Sequence, residues 1–157
     1  MNNLDIIINN PKYKEYLRKL EEFEKERIFC RHTLEHFLDV ARISYIQVLE
    51  NDMKYSKEVI YAIALLHDIG RVLEYEKGIP HHEGSVILSK VVLEETNFSD
   101  EQKKNILNAI NNHRSDSDDE LSILIYKSDK LSRNCFNCKA KEECYWDESK
   151  KNYSIKF

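Results

Sequence analysis

Segments with a regular apolar stripe alternate along the chain with short polar connections. Within each segment apolar residues recur three or four positions apart, the spacing that places side chains on one face of an α-helix. The first such segment follows Pro11, a residue well suited to the first turn of a helix. Its stripe consists of Tyr13, Tyr16, Leu17, Leu20 and Phe23. The pattern predicts an amphipathic surface helix.

Further helices are predicted from the same spacing and from the polar residues at their ends. Ser99 and Gln102 form a capping-box pattern, Ser56 precedes an apolar run, and Gly78 follows a short charged segment. The polar segment 115–120 is predicted to be a solvated turn that caps the helix after it. The predicted helices cover about 32–49, Ser56 to near Gly70, 71–77, Pro80 onward, Ser99 to about His113, and about 119–132.

The composition supports an all-α fold. Only 3 glycines and 2 prolines occur in 157 residues, and a sheet protein needs more turn residues than that. Hydrophobic residues make up 41% of the chain, which is enough for one core, and the length favours one domain. We therefore expect a single compact bundle of about six or seven helices, followed by a cysteine-containing tail over residues 134–157.

The charge and the apolar segments restrict the partners of the protein. With a net charge of −4, the chain lacks the basic field that attracts nucleic acids. Residues 1–10 do not resemble a signal peptide, and no apolar segment approaches the roughly 20 residues of a membrane span. We expect a cytoplasmic protein that binds neither nucleic acid nor membrane, with its cysteines as thiols or metal ligands rather than disulfides. The sequence does not indicate an oligomeric state.

The polar pair His67-Asp68 directly follows the apolar run 59–66. Such a run predicts a buried helix, and buried histidine and aspartate are costly unless they are paired or bound to metal. The pair therefore has two interpretations. It is either a metal-binding pair or a His–Asp hydrogen bond that caps the helix before Gly70.

Other polar residues lie on or beside apolar faces of different predicted helices. Taken alone, a histidine on such a face is more often a core residue than a ligand. Taken together, these residues and the His67-Asp68 pair form the set from which helical bundles build metal sites. The additional candidates are His36, His81 or His82, His113 and Asp129.

The order His, His-Asp, His, His, Asp resembles the HD-domain superfamily of metal-dependent phosphohydrolases. The resemblance covers about residues 31–133 and is strongest in 65–70 (LLHDIG), 81–85 (HHEGS) and 128–131 (SDKL). It implies that the whole chain, 1–157, is one HD domain with the cysteine-containing tail attached.

By position, the resemblance assigns His36, His67, Asp68 and Asp129 to a first metal. His81 and His113 complete a second, with Asp68 bridging the two and His82 competing with His81. These ligands suit one or two divalent ions of iron, manganese, cobalt, nickel or zinc.

The resemblance also implies a mechanism, in which a metal-activated water attacks phosphorus. Asp68 or a nearby histidine is a candidate acceptor of its proton. Arg71, Lys130 and Arg133 are candidates for holding phosphate, although each cation is equally well interpreted as a surface charge. A nucleotide or dinucleoside polyphosphate is the expected substrate. Two alternatives are a di-iron oxygenase of the same fold and a non-catalytic ligand-binding or regulatory module.

Four cysteines form a second candidate site. Cys135 and Cys138 make a C-x2-C pair, Cys144 follows, and Cys30 is distant in sequence. Cys30 precedes His36 by six residues, and Cys135 follows Asp129 by six. Six helical residues advance about 9 Å along a helix axis. If the two helices are antiparallel and meet at one metal, both cysteines therefore lie about 9 Å from the metal on the same side. We expect a four-thiolate site for structural zinc or an iron–sulfur cluster that holds the tail on the domain. The alternative is reduced thiols with Cys30 buried in the core.

Overall fold

The computed structural model describes residues 1–114 and 116–157, and the regular secondary structure of these residues is helical. The prediction of an all-α fold is confirmed. In the part of the chain that the structure describes, no helix has the length and apolar character needed to cross a membrane. The helices are α1 (Asn3–Asn9), α2 (Pro11–Glu24), α3 (Leu34–Glu50), α4 (Lys57–Leu66), α5 (Arg71–Lys77), α6 (His81–Leu93), α7 (Asp100–Asn111), α8 (Glu120–Leu131) and a 3₁₀ helix (Cys135–Asn137).

Most helix boundaries follow the capping residues of the sequence. The hydroxyl of Ser99 accepts from the backbone N–H of Gln102, whose side chain accepts from the backbone of Ser99, so the capping box is confirmed. The hydroxyl of Ser56 caps α4, and Gly78 ends α5 with a φ of 70°. The predicted turn 115–120 includes Ser115, which lies outside the described residues.

Three helices differ from the prediction. The helix expected to run to near Gly70 ends at Leu66. The helix expected from about His32 begins at Leu34, because the side chain of Thr33 accepts from the backbone N–H of His36 and caps α3. The helix α1 was not predicted. It is only seven residues long, and its stability comes from burial of Ile7 in the core rather than from its own sequence pattern.

The core surrounds α4, which packs against α1, α3 and α7. A helix that is hydrophobic on all sides belongs inside a protein, and the side chains of Ile60, Ile63 and Leu66 are fully buried. The last helical residue is Leu66, so His67 and Asp68 lie in the turn that follows. The most buried helix therefore delivers this polar pair to the interior.

A close crossing fixes the turn after α4 against α6. A Cβ atom on Gly70 would lie 1.9 Å from the backbone nitrogen of Ser85 and 2.2 Å from the backbone oxygen of His81. The backbone N–H of Gly70 donates to the hydroxyl of Ser85 at 2.8 Å. The absence of a side chain at Gly70 thus allows the His-Asp turn and the start of α6 to touch.

The tail folds back onto the end of α8. The side-chain amide of Asn152 donates to the carbonyl oxygens of Lys130 at 2.7 Å and Arg133 at 2.9 Å. The backbone carbonyl oxygen of Asn152 accepts from the backbone N–H of Phe136. The buried Asn152 therefore joins the last part of the chain to the end of α8 and to the 3₁₀ helix.

Candidate metal centre

His67 is held with one ring nitrogen free for a ligand. The ring is fully buried, and its Nδ1 donates to the backbone oxygen of Ala64 at 2.6 Å. Because a carbonyl only accepts hydrogen bonds, the proton of the neutral ring lies on Nδ1 and the lone pair on Nε2. The same type of contact, from Nδ1 to the backbone oxygen of Ile110, orients the ring of His113.

A first group of ligand atoms combines α3, the turn after α4, and α8. Its members are His36, His67, Asp68 and Asp129, whose ligand atoms all lie within 4.8 Å of one another. Oδ1 of Asp129 is 3.0 Å from Nε2 of His36 and 3.8 Å from Nε2 of His67. Oδ2 of Asp68 is 3.5 Å from Nε2 of His67. Three separate elements thus converge on a space the size of one ion.

A second group shares Asp68 with the first. Oδ1 of Asp68 lies 3.5 Å from Nε2 of His81 and 3.5 Å from Nε2 of His113. The two oxygens of one carboxylate therefore face different groups, which is the arrangement of a bridging ligand. The position of the shared residue agrees with the two-metal assignment.

Buried polar atoms without hydrogen-bond partners indicate, independently of any sequence motif, that these residues suit a metal ion. Among the side chains that the structure describes, Nε2 of His36, Nε2 of His67 and Oδ1 of Asp68 are buried and make no hydrogen bond. A buried polar atom without a partner costs free energy, and native proteins have few of them. Two of these atoms belong to the first group and Oδ1 of Asp68 belongs to the second, so cations bound at the two groups would satisfy all three.

The ionisation of the carboxylates suits cation binding. Burial alone would raise the pKa of Asp68, but the neighbouring His67, His113, His32 and Arg71 hold it well below its usual range. The pKa of Asp129 is also held well below its usual range, because His36 and His67 outweigh the effect of its burial. Burial lowers the pKa of His36 to about 4. Two charged carboxylates and a neutral imidazole are the forms that bind metal.

His81 and His82 have different surroundings. His81 faces Asp68, whereas Nε2 of His82 lies 3.9 Å from a carboxylate oxygen of Glu83. Adjacent residues of a helix point about 100° apart, so only one of the two can face the cluster. The structure places His81 there and leaves His82 outside it.

Basic side chains border the same centre. A cavity of about 80 Å³ contacts both Asp68 and Asp129. The predicted phosphate-binding residues Arg71, Lys130 and Arg133 line it, together with Arg27. Nε of Arg71 is 3.8 Å from Oδ1 of Asp68, and Nζ of Lys130 donates to Oδ2 of Asp129 at 3.1 Å. These three cations are therefore part of the site.

His32 and Glu24 were missed as site residues. His32 is 6% exposed, and its Nε2 lies 3.5 Å from Oδ2 of Asp68. Its Nδ1 is 2.6 Å from one carboxylate oxygen of Glu24, which also accepts from Tyr75, and the other oxygen accepts from the backbone N–H of His32. His32 lies outside α3, because that helix starts after it. The only available signal was a second histidine four residues before His36.

The four cysteines lie together at a different place. All are free thiols, and all line one cavity beside the tail. Cys30 and Cys144 also border the cavity above Asp68 and Asp129. The structure thus brings the four predicted residues to one region adjacent to the histidine and aspartate cluster.

Comparisons with known proteins agree with this geometry. Residues 33–134 match the family model described as HD domain. An uncharacterized protein of Clostridium beijerinckii (strain ATCC 51743 / NCIMB 8052) is 43% identical over 155 residues, which cover 99% of this chain and 99% of the relative. No solved structure matches the chain significantly.

Proposed function

Because the chain belongs to the HD-domain family of the metal-dependent phosphohydrolase superfamily, we propose that it hydrolyses a small phosphate ester. The proposed substrate class is a nucleotide or a dinucleoside polyphosphate. The observation that carries the proposal is the placement of four cations around a cavity that opens onto the shared ligand Asp68. Hydrolysis of a phosphate ester needs both the cations and the metal ligands. The cations hold the charge of the phosphate, and the metal centre activates the attacking water.

Two sets of residues would hold the metal. His36, His67 and Asp129 would bind one ion, His81 and His113 a second, and Asp68 both. When bound, divalent ions supply a Lewis acid and lower the pKa of a coordinated water to near neutrality. The protein contributes fixed ligand positions, because hydrogen bonds to backbone oxygens orient the rings of His67 and His113.

The basic residues would bind and orient the phosphate. The guanidinium groups of Arg27, Arg71 and Arg133 can each make two parallel hydrogen bonds to phosphate oxygens. Arg133 is held in place because its Nη1 donates to the backbone oxygen of Arg31 at 2.8 Å. The cavity of about 80 Å³ has the volume of roughly three water molecules, so it accommodates a phosphoryl group. The remainder of a substrate would extend outward.

His32 is placed to transfer a proton. Because Glu24 binds its Nδ1 and holds the ring, Nε2 is directed at the cavity and Asp68. A carboxylate that orients a histidine in this way makes it an effective general acid or base. We assign to His32 Nε2 the acceptance of a proton from the attacking water or its donation to the leaving group. This role is an addition to the ligands implied by the resemblance.

Aromatic side chains support a nucleotide rather than an aliphatic phosphate. Phe29, Tyr145 and Trp146 line the cavity on the side of the tail. The ring of Trp146 also lies 5.7 Å from Nζ of Lys130, which places an aromatic face beside a phosphate-binding cation. Nucleobases stack on such faces with little dependence on base identity.

The test is a turnover assay on protein purified without oxygen and loaded with a single divalent metal. A panel of nucleoside phosphates and diadenosine polyphosphates should contain a substrate, and Asp129→Ala should abolish its hydrolysis. Asp39→Ala is the matched control, since Asp39 pairs with Arg42 on the exposed side of α3. Absence of hydrolysis across the panel with full metal content would contradict the proposal and favour a non-catalytic module. A mixed-valence iron pair would favour the oxygenase alternative.

A further inference from the structure

The four cysteines come from distant parts of the chain and enclose one cavity. Cys30 lies between α2 and α3, Cys135 begins the 3₁₀ helix, and Cys138 and Cys144 follow it. All four line a cavity of about 190 Å³. Burial raises the pKa of the Cys30 thiol, Arg133 opposes this effect, and the other three sulfurs raise the pKa further. Each of the other thiols is therefore close enough to Cys30 to repel its charge.

The spacing of the sulfurs does not match a single ion. In a tetrahedral site with Zn–S bonds near 2.3 Å, the sulfurs stand about 3.8 Å apart. Among the residues that the structure describes, the groups of three or more ligand atoms within 4.8 Å of one another contain no cysteine. The zinc alternative therefore does not fit the observed positions.

A four-iron cluster requires a wider spacing of the sulfurs than a single ion does. The thiolates of a four-iron cluster bind different corners of a cube, so neighbouring sulfurs stand roughly 6 Å apart. The volume of this partly open cavity, about 190 Å³, corresponds to roughly six water molecules. That volume is of the order of size of a compact inorganic cluster.

The lining of the cavity suits an anionic, partly shielded group. Four thiolates give a four-iron cluster a net negative charge, and Arg133, Lys141 and Lys151 line the cavity. Nζ of Lys151 is fixed by donation to the backbone oxygen of Lys141 at 2.7 Å. Phe29 and Trp146 supply apolar walls, which limit the access of solvent to the sulfurs.

We propose that the four cysteines of this chain bind one [4Fe–4S] cluster beside the histidine and aspartate centre. Nothing in the family match, which ends at residue 134, assigns a role to the cysteines of the tail. The proposed role of the cluster is structural, because it would hold part of the tail in place. Because Cys30 and Cys144 border both cavities, it would fix Tyr145 and Trp146 as a wall of the proposed substrate site. This last consequence rests on the proposed function, whereas the cluster itself does not.

The test measures acid-labile sulfide in protein purified or reconstituted without oxygen. Sulfide is the informative quantity because the histidine and aspartate centre binds metal without it. The wild-type protein should contain four sulfides per chain and a broad visible absorption that dithionite bleaches. His67→Ala should retain the sulfide, whereas Cys138→Ser should lose it.

Two results would overturn the proposal. One is a single zinc per chain that persists in His67→Ala and disappears in Cys138→Ser, with no sulfide. The other is four thiols that react with a thiol reagent in the native, reconstituted protein. The sulfide content and the thiol reactivity are both measured on soluble wild-type protein, so the proposal remains testable if a variant fails to fold. Phosphate-ester turnover with no sulfide would refute the cluster and leave the proposed function intact. Four sulfides per chain without phosphate-ester turnover would support the cluster and contradict the proposed function.

Discussion

A single carboxylate connects the two groups of candidate metal ligands. Oδ2 of Asp68 faces His67, and Oδ1 faces His81 and His113. The His-Asp pair was recognisable in the sequence because two polar residues ended an apolar run. The sharing of Asp68 between two groups was implied by the resemblance to the HD-domain superfamily and not by the residue pattern alone, because it depends on rings contributed by α6 and by the residue after the end of α7.

Asp68→Asn should therefore affect both groups. Asparagine has the same shape but no charge, so the variant should bind much less metal at either group and lose at least about 100-fold in turnover. Metal analysis and steady-state kinetics measure the two effects, with Asp39→Asn on the exposed side of α3 as the control. Full metal content in Asp68→Asn would show that the carboxylate is not a bridging ligand.

The Glu24 and His32 pair should make stability dependent on pH. Burial raises the pKa of Glu24, but hydrogen bonds from His32 and Tyr75 outweigh it and lower the pKa to about 2 from an ordinary value of 4.5. The depressed pKa stabilises the folded state above pH 4.5, by about 3 kcal/mol at neutral pH. This contribution is lost as the pH falls from about 4.5 toward 2.

Urea unfolding of metal-free protein at pH 7 and pH 3 tests this effect. Glu24→Gln removes the titrating group, so its stability should change less between the two pH values than that of the wild-type protein, by about 2 kcal/mol. Glu22→Gln is the control, because Glu22 pairs with Lys25 on the surface. An equal pH dependence in wild type and Glu24→Gln would contradict the assignment.

At the scale of the elements, patterns within a few neighbouring residues predicted most of the helices. They failed where the structure depends on contacts between residues that are distant in sequence. The capping box at Ser99 and the helix end at Gly78 depend on neighbouring residues, and both were predicted correctly. The position of His32 depends on Glu24 in α2, and the stability of α1 depends on burial of Ile7. No pattern within a short window contains that information.

The contact between the His-Asp turn and α6 gives a prediction about two glycines. Gly70→Ala places a Cβ atom 1.9 Å from backbone, so the turn or α6 must move, and we expect a loss of about 3 kcal/mol or more together with weaker metal binding. Gly78→Ala is the control, because no described atom lies within 4 Å of its added Cβ. Its positive φ should cost only about 1 kcal/mol. Thermal unfolding and metal titration should separate the variants, and equal stability would contradict the crossing.

At the scale of the molecule, the tail completes the site that the helical domain begins. Lys130 lies in the last turn of α8, and its Nζ contacts Asp129 and faces the rings of Tyr126 and Trp146. The sequence predicted that the tail returns to the domain at the cysteines. The aromatic wall that it forms over the cavity could not be predicted, since it depends on the hydrogen bonds of Asn152 to the end of α8.

Trp146→Ala should weaken substrate binding without disturbing the metal. Loss of one stacking surface costs about 1–3 kcal/mol per base, so we expect a rise of about tenfold or more in KM for a nucleotide and little change in kcat. Trp146→Phe should restore most of the affinity. Hydrolysis of a phosphate ester without a base should be unaffected. An equal loss for both substrates would indicate a structural role only.

Metal-dependent turnover in two proteins tests the central claim most directly. Wild-type protein and His67→Ala are stripped of metal with a chelator, titrated with Mn²⁺, and assayed on the nucleotide substrate found in the panel. The account predicts that turnover is absent in both stripped proteins, returns with Mn²⁺ in the wild-type protein, and does not return in His67→Ala, which should still be helical by circular dichroism. Turnover by stripped wild-type protein, or full recovery in His67→Ala, would contradict it.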